Sequence, residues 1–297
     1  MTSSVQVSHV AKAFGPVQAV SDVTFSVQAG EIFGLLGPNG AGKTTTIRLI
    51  LDIFKPDRGQ VSILGGPMSE DKMDRIGYMP EERGLYQDMP LESCLVYLAT
   101  LKGLSRREAR NRLDGYLDRF DLAEHRRKKV KELSRGMQQK AQIINTVVHG
   151  PELLIVDEPF SGLDPVNTQL VKTLLLDLKD KGTTIIMSTH MMHQVEELCD
   201  RIVLINQGQN VLYGPLEQIR RDFSGHAVMV KVDGDLPALT GVQDTIQKNG
   251  SIQLVLADQT APQEILRQLM ADHATVEQFE IAVPTLDEIF IRTVNEQ

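Results

Sequence analysis

The run Gly37-Pro38-Asn39-Gly40-Ala41-Gly42-Lys43-Thr44 fits the spacing G-x-x-x-x-G-K-[ST], and Thr45 extends its row of hydroxyls. A loop of this kind captures anions. Its glycines let successive backbone N–H groups turn toward one phosphate chain, and the helix that follows adds its positive end. Lys43 supplies a point charge to β- and γ-phosphates, and the Thr44 hydroxyl can ligate Mg²⁺. Farther along, Leu153-Leu154-Ile155-Val156 runs into Asp157 and Glu158. Two carboxylates at the mouth of an apolar strand are costly unless a cation or a reaction uses them. Asp157 would hold the Mg²⁺ shell and Glu158 would polarise an attacking water. Capping of a neighbouring helix explains one such acid, but explains both poorly.

Three further stretches carry weaker signals. Leu133-Ser134-Arg135-Gly136-Met137-Gln138-Gln139 opens a helix whose apolar face includes Ala141, Ile144 and Val148. Ser134 reads first as its N-cap. An N-cap beside a glycine is also a phosphate-binding nose. Phe160-Ser161-Gly162-Leu163-Asp164-Pro165 reads as a loop entering a helix at Pro165. His190 follows the strand-like TTIIMST, where a lone histidine is more often structural than catalytic.

The elements needed to position these residues are legible. Residues 5–10 and 23–28 alternate like strands, and 31–36 is an apolar run entering the glycine-rich turn. The next segment has helical spacing through Ile47, Ile50, Leu51 and Phe54, with Pro56 and Gly59 expected to end it. Residues 60–65 and 76–79 read as strands. From Leu91 to His149 the texture is helical. Strand-like 153–156, 183–188 and 201–206 then alternate with helical 165–180 and 191–199, which implies a parallel sheet covered by helices. A turn at Asn206–Gly208 suggests a hairpin into Asn210–Tyr213. The tail reads as a small α+β unit: strands at 226–232, 251–257 and 277–283, a helix at 262–273, and a closing helix from Thr285, which has capping-box spacing with Glu288.

Composition narrows the function classes. The chain has 297 residues, 41% hydrophobic and 24% charged, with a formal net charge of −8. That is globular, and long enough for roughly two domains. Residues 222–297 hold 12 acids and 4 bases, so the remainder is neutral and a boundary is expected near residue 222. An acidic tail argues against non-specific nucleic-acid binding. Cys94 and Cys199 are too few for a disulfide framework. No apolar run approaches the roughly 20 residues needed to span a bilayer, and no secretory leader pattern opens the chain. The basic run Arg126-Arg127-Lys128-Lys129-Lys131 reads as a solvated helix end.

In this order and combination, the motifs of residues 1 to about 221 closely resemble the nucleotide-binding subunit of ABC transporters. LSRGMQQ is similar to the family signature, LLIVDEP to its Walker B strand, SGLDP to its D-loop and His190 to its switch histidine. Phe14, which by itself reads as a core phenylalanine, stands where the family places an aromatic that stacks on adenine. The resemblance implies an α/β P-loop core with a helical signature subdomain at about 84–150, followed by a C-terminal α+β domain at 222–297. It implies ATP held by Phe14, residues 37–45, Ser134, Gly136 and Asp164. It implies Mg²⁺ held by Thr44, Asp157 and Glu81, and hydrolysis carried by Lys43, Glu81, Glu158 and His190.

Three departures stand out. Arg135 replaces the first glycine of the usual LSGGQ, and Met137 replaces its glutamine. In GYMPEERGLY, Glu81 stands where a glutamine is usual; a solvated Glu81 or Glu82 pairing with Arg83 is the alternative. That segment and the acidic tail resemble a bacterial export branch that includes sodium-efflux and antibiotic-resistance ATPases. The resemblance implies a head-to-tail dimer with a second ATPase subunit, identical or not, driving polytopic membrane permease subunits from the cytoplasmic face of the membrane. The rival reading is a soluble ABC ATPase of DNA repair or translation, which usually carries two modules or a long coiled coil. A non-hydrolysing regulatory subunit is disfavoured by intact Lys43, Asp157, Glu158 and His190.

Overall fold

The computed structural model describes residues 3–82, 84–224, 227–234, 236–248, 250–257, 259–271, 275–282 and 284–295. The chain divides into two compact units, Met1–Gly214 and Pro215–Gln297. The first contains β1 (Ser3–Phe14), β2 (Val17–Gln28), β3 (Ile32–Leu36), α1 (Lys43–Ile50), β4 (Arg58–Ile63), α2 (Glu70–Met73) and β5 (Ile76–Met79). Then come α3 (Leu91–Leu101), α4 (Arg106–Arg119), α5 (Arg135–Val147), β6 (Leu153–Asp157), α6 (Pro165–Asp180), β7 (Thr184–Thr189), α7 (Met192–Leu198), β8 (Arg201–Asn206) and β9 (Gln209–Pro215).

The nine strands form one sheet in the order β4-β1-β2-β9-β8-β3-β7-β6-β5. β3 lies parallel to β7 and β8, and β6 lies parallel to β5 and β7. Every residue of β3, β6 and β7 is buried, as expected of parallel strands covered on both faces. β1 pairs antiparallel with β2 and β4. Phe25, Phe33, Leu35, Ile47, Ile155, Ile186 and Val203 lie in the core that joins the two halves of the sheet. The β8–β9 hairpin turns through Gln207 and Gly208, both at positive φ, as two-residue hairpin turns demand.

α1 ends earlier than its apolar spacing predicts. Asp52 adopts φ 59°, and the Ile53 and Phe54 N–H groups fold back onto the Arg48 carbonyl. This closes the helix before Pro56 is reached, because an αL residue satisfies the last carbonyls. Between β5 and β6 the chain is helical: α3 packs on α4 and α5, and α5 packs on β5. Ala141 and Ile144 of α5 are fully buried, and Ser134 caps the helix by accepting the Met137 N–H at 3.2 Å. In the basic run, Arg126 pairs with Asp114 and Lys131 with Asp88.

The second unit contains α8 (Leu216–Asp222), β10 (Ala227–Asp233), β11 (Val242–Lys248), β12 (Ser251–Leu256), α9 (Pro262–Ala271), β13 (Thr275–Ile281) and α10 (Leu286–Asn295). Its antiparallel sheet runs β11-β12-β10-β13. Val228, Val230, Leu254 and Leu256 of the sheet share a core with Ile265 and Leu269 of α9. The capping box forms: Thr285 N–H donates to Glu288 Oε2 at 3.0 Å and Glu288 N–H to Thr285 Oγ1 at 3.3 Å. β11 is the strand that the sequence reading omits. Its alternation, VQDTIQK, is polar on one side and lacks the apolar density that marks the others. His226, Asp272, His273 and Val283, at the ends of expected elements, lie outside the described residues. Among the described residues, no helix is long and apolar enough to cross a membrane.

Candidate active site

Three loops leave the carboxyl ends of the neighbouring strands β3, β7 and β6, so their first residues must converge. Open parallel sheets bind ligands at this edge. After β3 the chain enters the glycine loop. Gly37 (φ 147°) and Gly42 (φ 106°) sit where no side chain fits: a Cβ would lie 2.2 Å from the Ile205 carbonyl oxygen and 2.5 Å from that of Ala19. The loop folds back on itself, with Ala41 N–H donating to the Pro38 carbonyl at 3.2 Å. Lys43 starts α1, and its Nζ donates to the Gly37 and Pro38 carbonyls at 2.7 and 3.1 Å. The ammonium thus spans the loop's mouth, where an anion in the cradle would meet it.

After β6 come the two acids. Asp157 is 2% exposed, and its Oδ2 accepts the Thr44 hydroxyl at 3.0 Å. Burial raises its carboxyl above the usual range, opposed by the Ser188 and Thr44 hydroxyls and by Lys43, with Glu158 adding to the rise. Burial lowers the Lys43 ammonium, and Glu158, Asp157 and Glu81 pull it back. Glu158 holds φ 52°, an uncommon backbone for a non-glycine residue. Its Oε1 accepts from the His190 backbone N–H at 3.1 Å and lies 2.7 Å from the His190 Nδ1. Its Oε2 accepts the Thr189 hydroxyl at 3.1 Å.

Lys43, Asp157, Glu158 and His190, with Thr189 buried behind Glu158, line one cleft of about 410 Å³, together with Asn39, Gly40, Gly42, Thr44, Thr45, Glu81, Val17, Gln18 and Ala19. Glu81 lines it and Glu82 does not. Both reach an adjoining cavity of about 280 Å³ with Arg48 and Tyr78. Arg83 lies outside the described residues. Gly37, Pro38 and Ala41 shape the loop from behind. Phe14 stands apart from the cleft lining, half exposed, with its ring edge-to-face with Phe54 at 5.1 Å and the Lys12 ammonium 5.7 Å from its centroid.

Ser134, Gly136 and Asp164 are not brought into the cleft. Ser134 caps α5, and Asp164 caps α6 by accepting the Asn167 N–H at 2.8 Å. The two caps share a neighbourhood, since a Cβ on Gly136 would lie 3.7 Å from the Gly162 carbonyl. The sequence reading missed Val17, Gln18, Ala19 and Thr189. The first three follow Phe14 across the Gly15–Pro16 turn of the β1–β2 hairpin. A hydroxyl just before a candidate histidine was the one signal for Thr189.

The donors that fit a metal are hard oxygens, the Thr44 hydroxyl and the Asp157 carboxylate. Among the described residues no group of three His, Cys, Asp or Glu could enclose an ion. Two protein oxygens facing an open cleft suit Mg²⁺, which keeps waters and shares phosphates instead of filling a protein cage. The charge balance agrees. Glu81, Asp157 and Glu158 face one lysine, so a polyphosphate entering this cleft needs a cation with it.

Comparison with known proteins decides the family. The ABC transporter family model matches residues 20–161, and the model for the C-terminal domain of DrrA1-3-like ATP-binding proteins matches residues 214–294. The chain is 43% identical over 291 residues to YhaQ of Bacillus subtilis, an uncharacterized ABC transporter ATP-binding protein, covering 97% of each. The chain belongs to the ABC transporter ATP-binding family. It is also 31% identical to the linearmycin resistance ATP-binding protein LnrL of Bacillus subtilis, covering 96% of each. A solved structure of the ATP-binding subunit of an ABC transporter matches with a TM-score of 0.70 and 35% identity, covering 75% of this chain and 93% of that one. The nine-stranded sheet with its covering helices is therefore the ABC ATPase P-loop fold, and the protein is an ATP-binding ATPase subunit of an ABC transporter.

Proposed function

We propose that this ATPase subunit hydrolyses Mg²⁺-ATP in a head-to-tail dimer and thereby drives export through separate membrane subunits. The observation that carries the reading is the convergence of Lys43, Thr44, Asp157, Glu158 and His190 on one cleft from which Ser134, Gly136 and Asp164 are absent. Half a site is built here. Ser134, Gly136 and Asp164 of a second copy, or of a related subunit, would close it over the nucleotide.

In and around the cleft each residue has a distinct task. Phe14, beside Val17, offers an aromatic face to the base. Residues 37–45 wrap the phosphates with backbone N–H groups, and Lys43 leaves the Gly37 and Pro38 carbonyls to meet the terminal phosphates. Thr44, Asp157 and, at its margin, Glu81 would hold Mg²⁺, which when bound would neutralise charge on the β- and γ-phosphates. Glu158 orients the attacking water and accepts its proton. His190, with its side chain 58% exposed beside Glu158, is free to turn toward the γ-phosphate. Closure on ATP and release after hydrolysis would work separate membrane permease subunits by differential binding to the two states.

Export is supported by the likeness to LnrL, a linearmycin resistance ATP-binding protein. Work of this kind places the subunit peripherally on the cytoplasmic face of the membrane. Glu158→Gln tests the reading. The amide keeps the shape and loses the base, so hydrolysis should fall by about 10²–10⁴ while ATP is retained. Size-exclusion chromatography with Mg²⁺-ATP should then resolve a dimer that nucleotide-free protein lacks. A variant that binds ATP yet stays monomeric would remove the sandwich.

A further inference from the structure

We propose that Thr189 is a positioning residue for hydrolysis, one that fixes the direction of the Glu158 carboxylate. The inference rests on the reading of Glu158 as the base. β6 and β7 are adjacent parallel strands in which Asp157 pairs with Ser188, so the next residue of each strand emerges side by side. At that point the chain at Glu158 bends into the left-handed region, its N–H bonded to the Ser188 carbonyl at 2.9 Å. A side chain leaving such a bend needs a lateral anchor to hold one rotamer.

Thr189 Oγ1 supplies that anchor, and its proton has one direction to take. The Met191 N–H, 3.1 Å away, can only donate, so it occupies a lone pair of the hydroxyl. The hydroxyl's single proton is then directed at Glu158 Oε2, 3.1 Å away, which accepts as a carboxylate. The other oxygen of Glu158 accepts from the His190 backbone N–H and meets the His190 Nδ1, and the two side-chain anchors differ in mobility. The His190 side chain is 58% exposed, whereas Thr189 is fully buried. When the His190 side chain turns toward substrate, Oε1 is released from Nδ1 alone, while the Thr189 hydroxyl still holds Oε2 and the His190 backbone N–H still holds Oε1, so the carboxylate keeps its direction. Rate depends steeply on such alignment.

The test measures Mg²⁺-ATP hydrolysis and nucleotide affinity in the full chain for Thr189→Val, Thr189→Ser, Glu158→Gln and the Val/Gln double variant. Thr189→Val should lower kcat by about 10- to 100-fold, as loss of a supporting hydrogen bond does elsewhere. KM and the affinity for a fluorescent ATP analogue should stay within about twofold of wild type. Thr189→Ser, which keeps the hydroxyl, should restore turnover. In single-turnover reactions Thr189→Val should add nothing to the defect of Glu158→Gln, because both act through one carboxylate. Four results would overturn the proposal: wild-type kcat in Thr189→Val; a Thr189→Ser as slow as the valine variant; equal slowing of wild type and Glu158→Gln by the valine, which would assign the effect to the Met191 turn; or loss of nucleotide binding in Thr189→Val. Wild-type turnover in Glu158→Gln would instead remove the base itself, a distinct outcome.

Discussion

Acid should destabilise this protein through one histidine far from the cleft. His149 follows the last turn of α5 and is 8% exposed. Burial, reinforced by the Lys102 ammonium and opposed by Asp74, holds its imidazolium pKa down to about 4 from 6.5. Arg112 is also close, donating to the His149 carbonyl at 2.9 Å. The folded value lies below the unfolded one, so the unfolded chain binds the proton more readily. Stability is therefore unaffected above about pH 7, falls as pH drops through 6.5, and levels off near pH 4. At pH 5 the linkage amounts to about 2 kcal/mol. For a unit of this size that is a fall in Tm of about 4–8 °C. Thermal melts of the nucleotide-free chain at pH 7.5 and 5.0, set beside those of His149→Gln, isolate the contribution. Glutamine carries no proton to bind, so the gap between the two pH values should narrow by that amount, whatever the variant's own Tm. Equal pH dependence in both proteins would refute the argument that His149 is held neutral by burial.

Three more outcomes follow from the same structure. Lys43→Ala should abolish hydrolysis and weaken ATP binding by about 10-fold or more in equilibrium titration, because one charge-assisted contact to the phosphates is lost; undiminished turnover would sink the anion-cradle assignment. Glu81→Gln should shift the Mg²⁺ concentration for half-maximal hydrolysis while metal-free nucleotide affinity stays nearly unchanged. Glu82→Gln, outside the cleft, should not, and identical Mg²⁺ curves for wild type and both variants would take Glu81 out of the site. Truncation after Gly214 should leave a soluble chain that binds ATP, since the cleft and its core belong to the first unit; an insoluble or non-binding product would mean that the two units need one another to fold.

What the chain alone determined is what short contiguous stretches can encode. The phosphate cradle is local, because residues 37–44 carry their own backbone instructions and only glycine tolerates the φ values at 37 and 42. The acidic strand end, the caps at Ser134 and Asp164, and the capping box from Thr285 to Glu288 are likewise contacts among near neighbours in sequence. The tertiary structure decided whatever depends on strand order. Thr189 meets Glu158 across 31 residues only because β7 lies beside β6. Val17, Gln18 and Ala19 reach the cleft because the β1–β2 hairpin folds over the glycine loop, which no spacing rule records. α1 stopped at Ile50 because the backbone at Asp52 turned left-handed, while its apolar pattern continued past that point into residues packed against the core. Ser134 and Asp164 carry the same local cap signals wherever the sheet places them. Only the packed chain places them outside the cleft, because a helix cap is set by its next three residues and its position by the whole sheet.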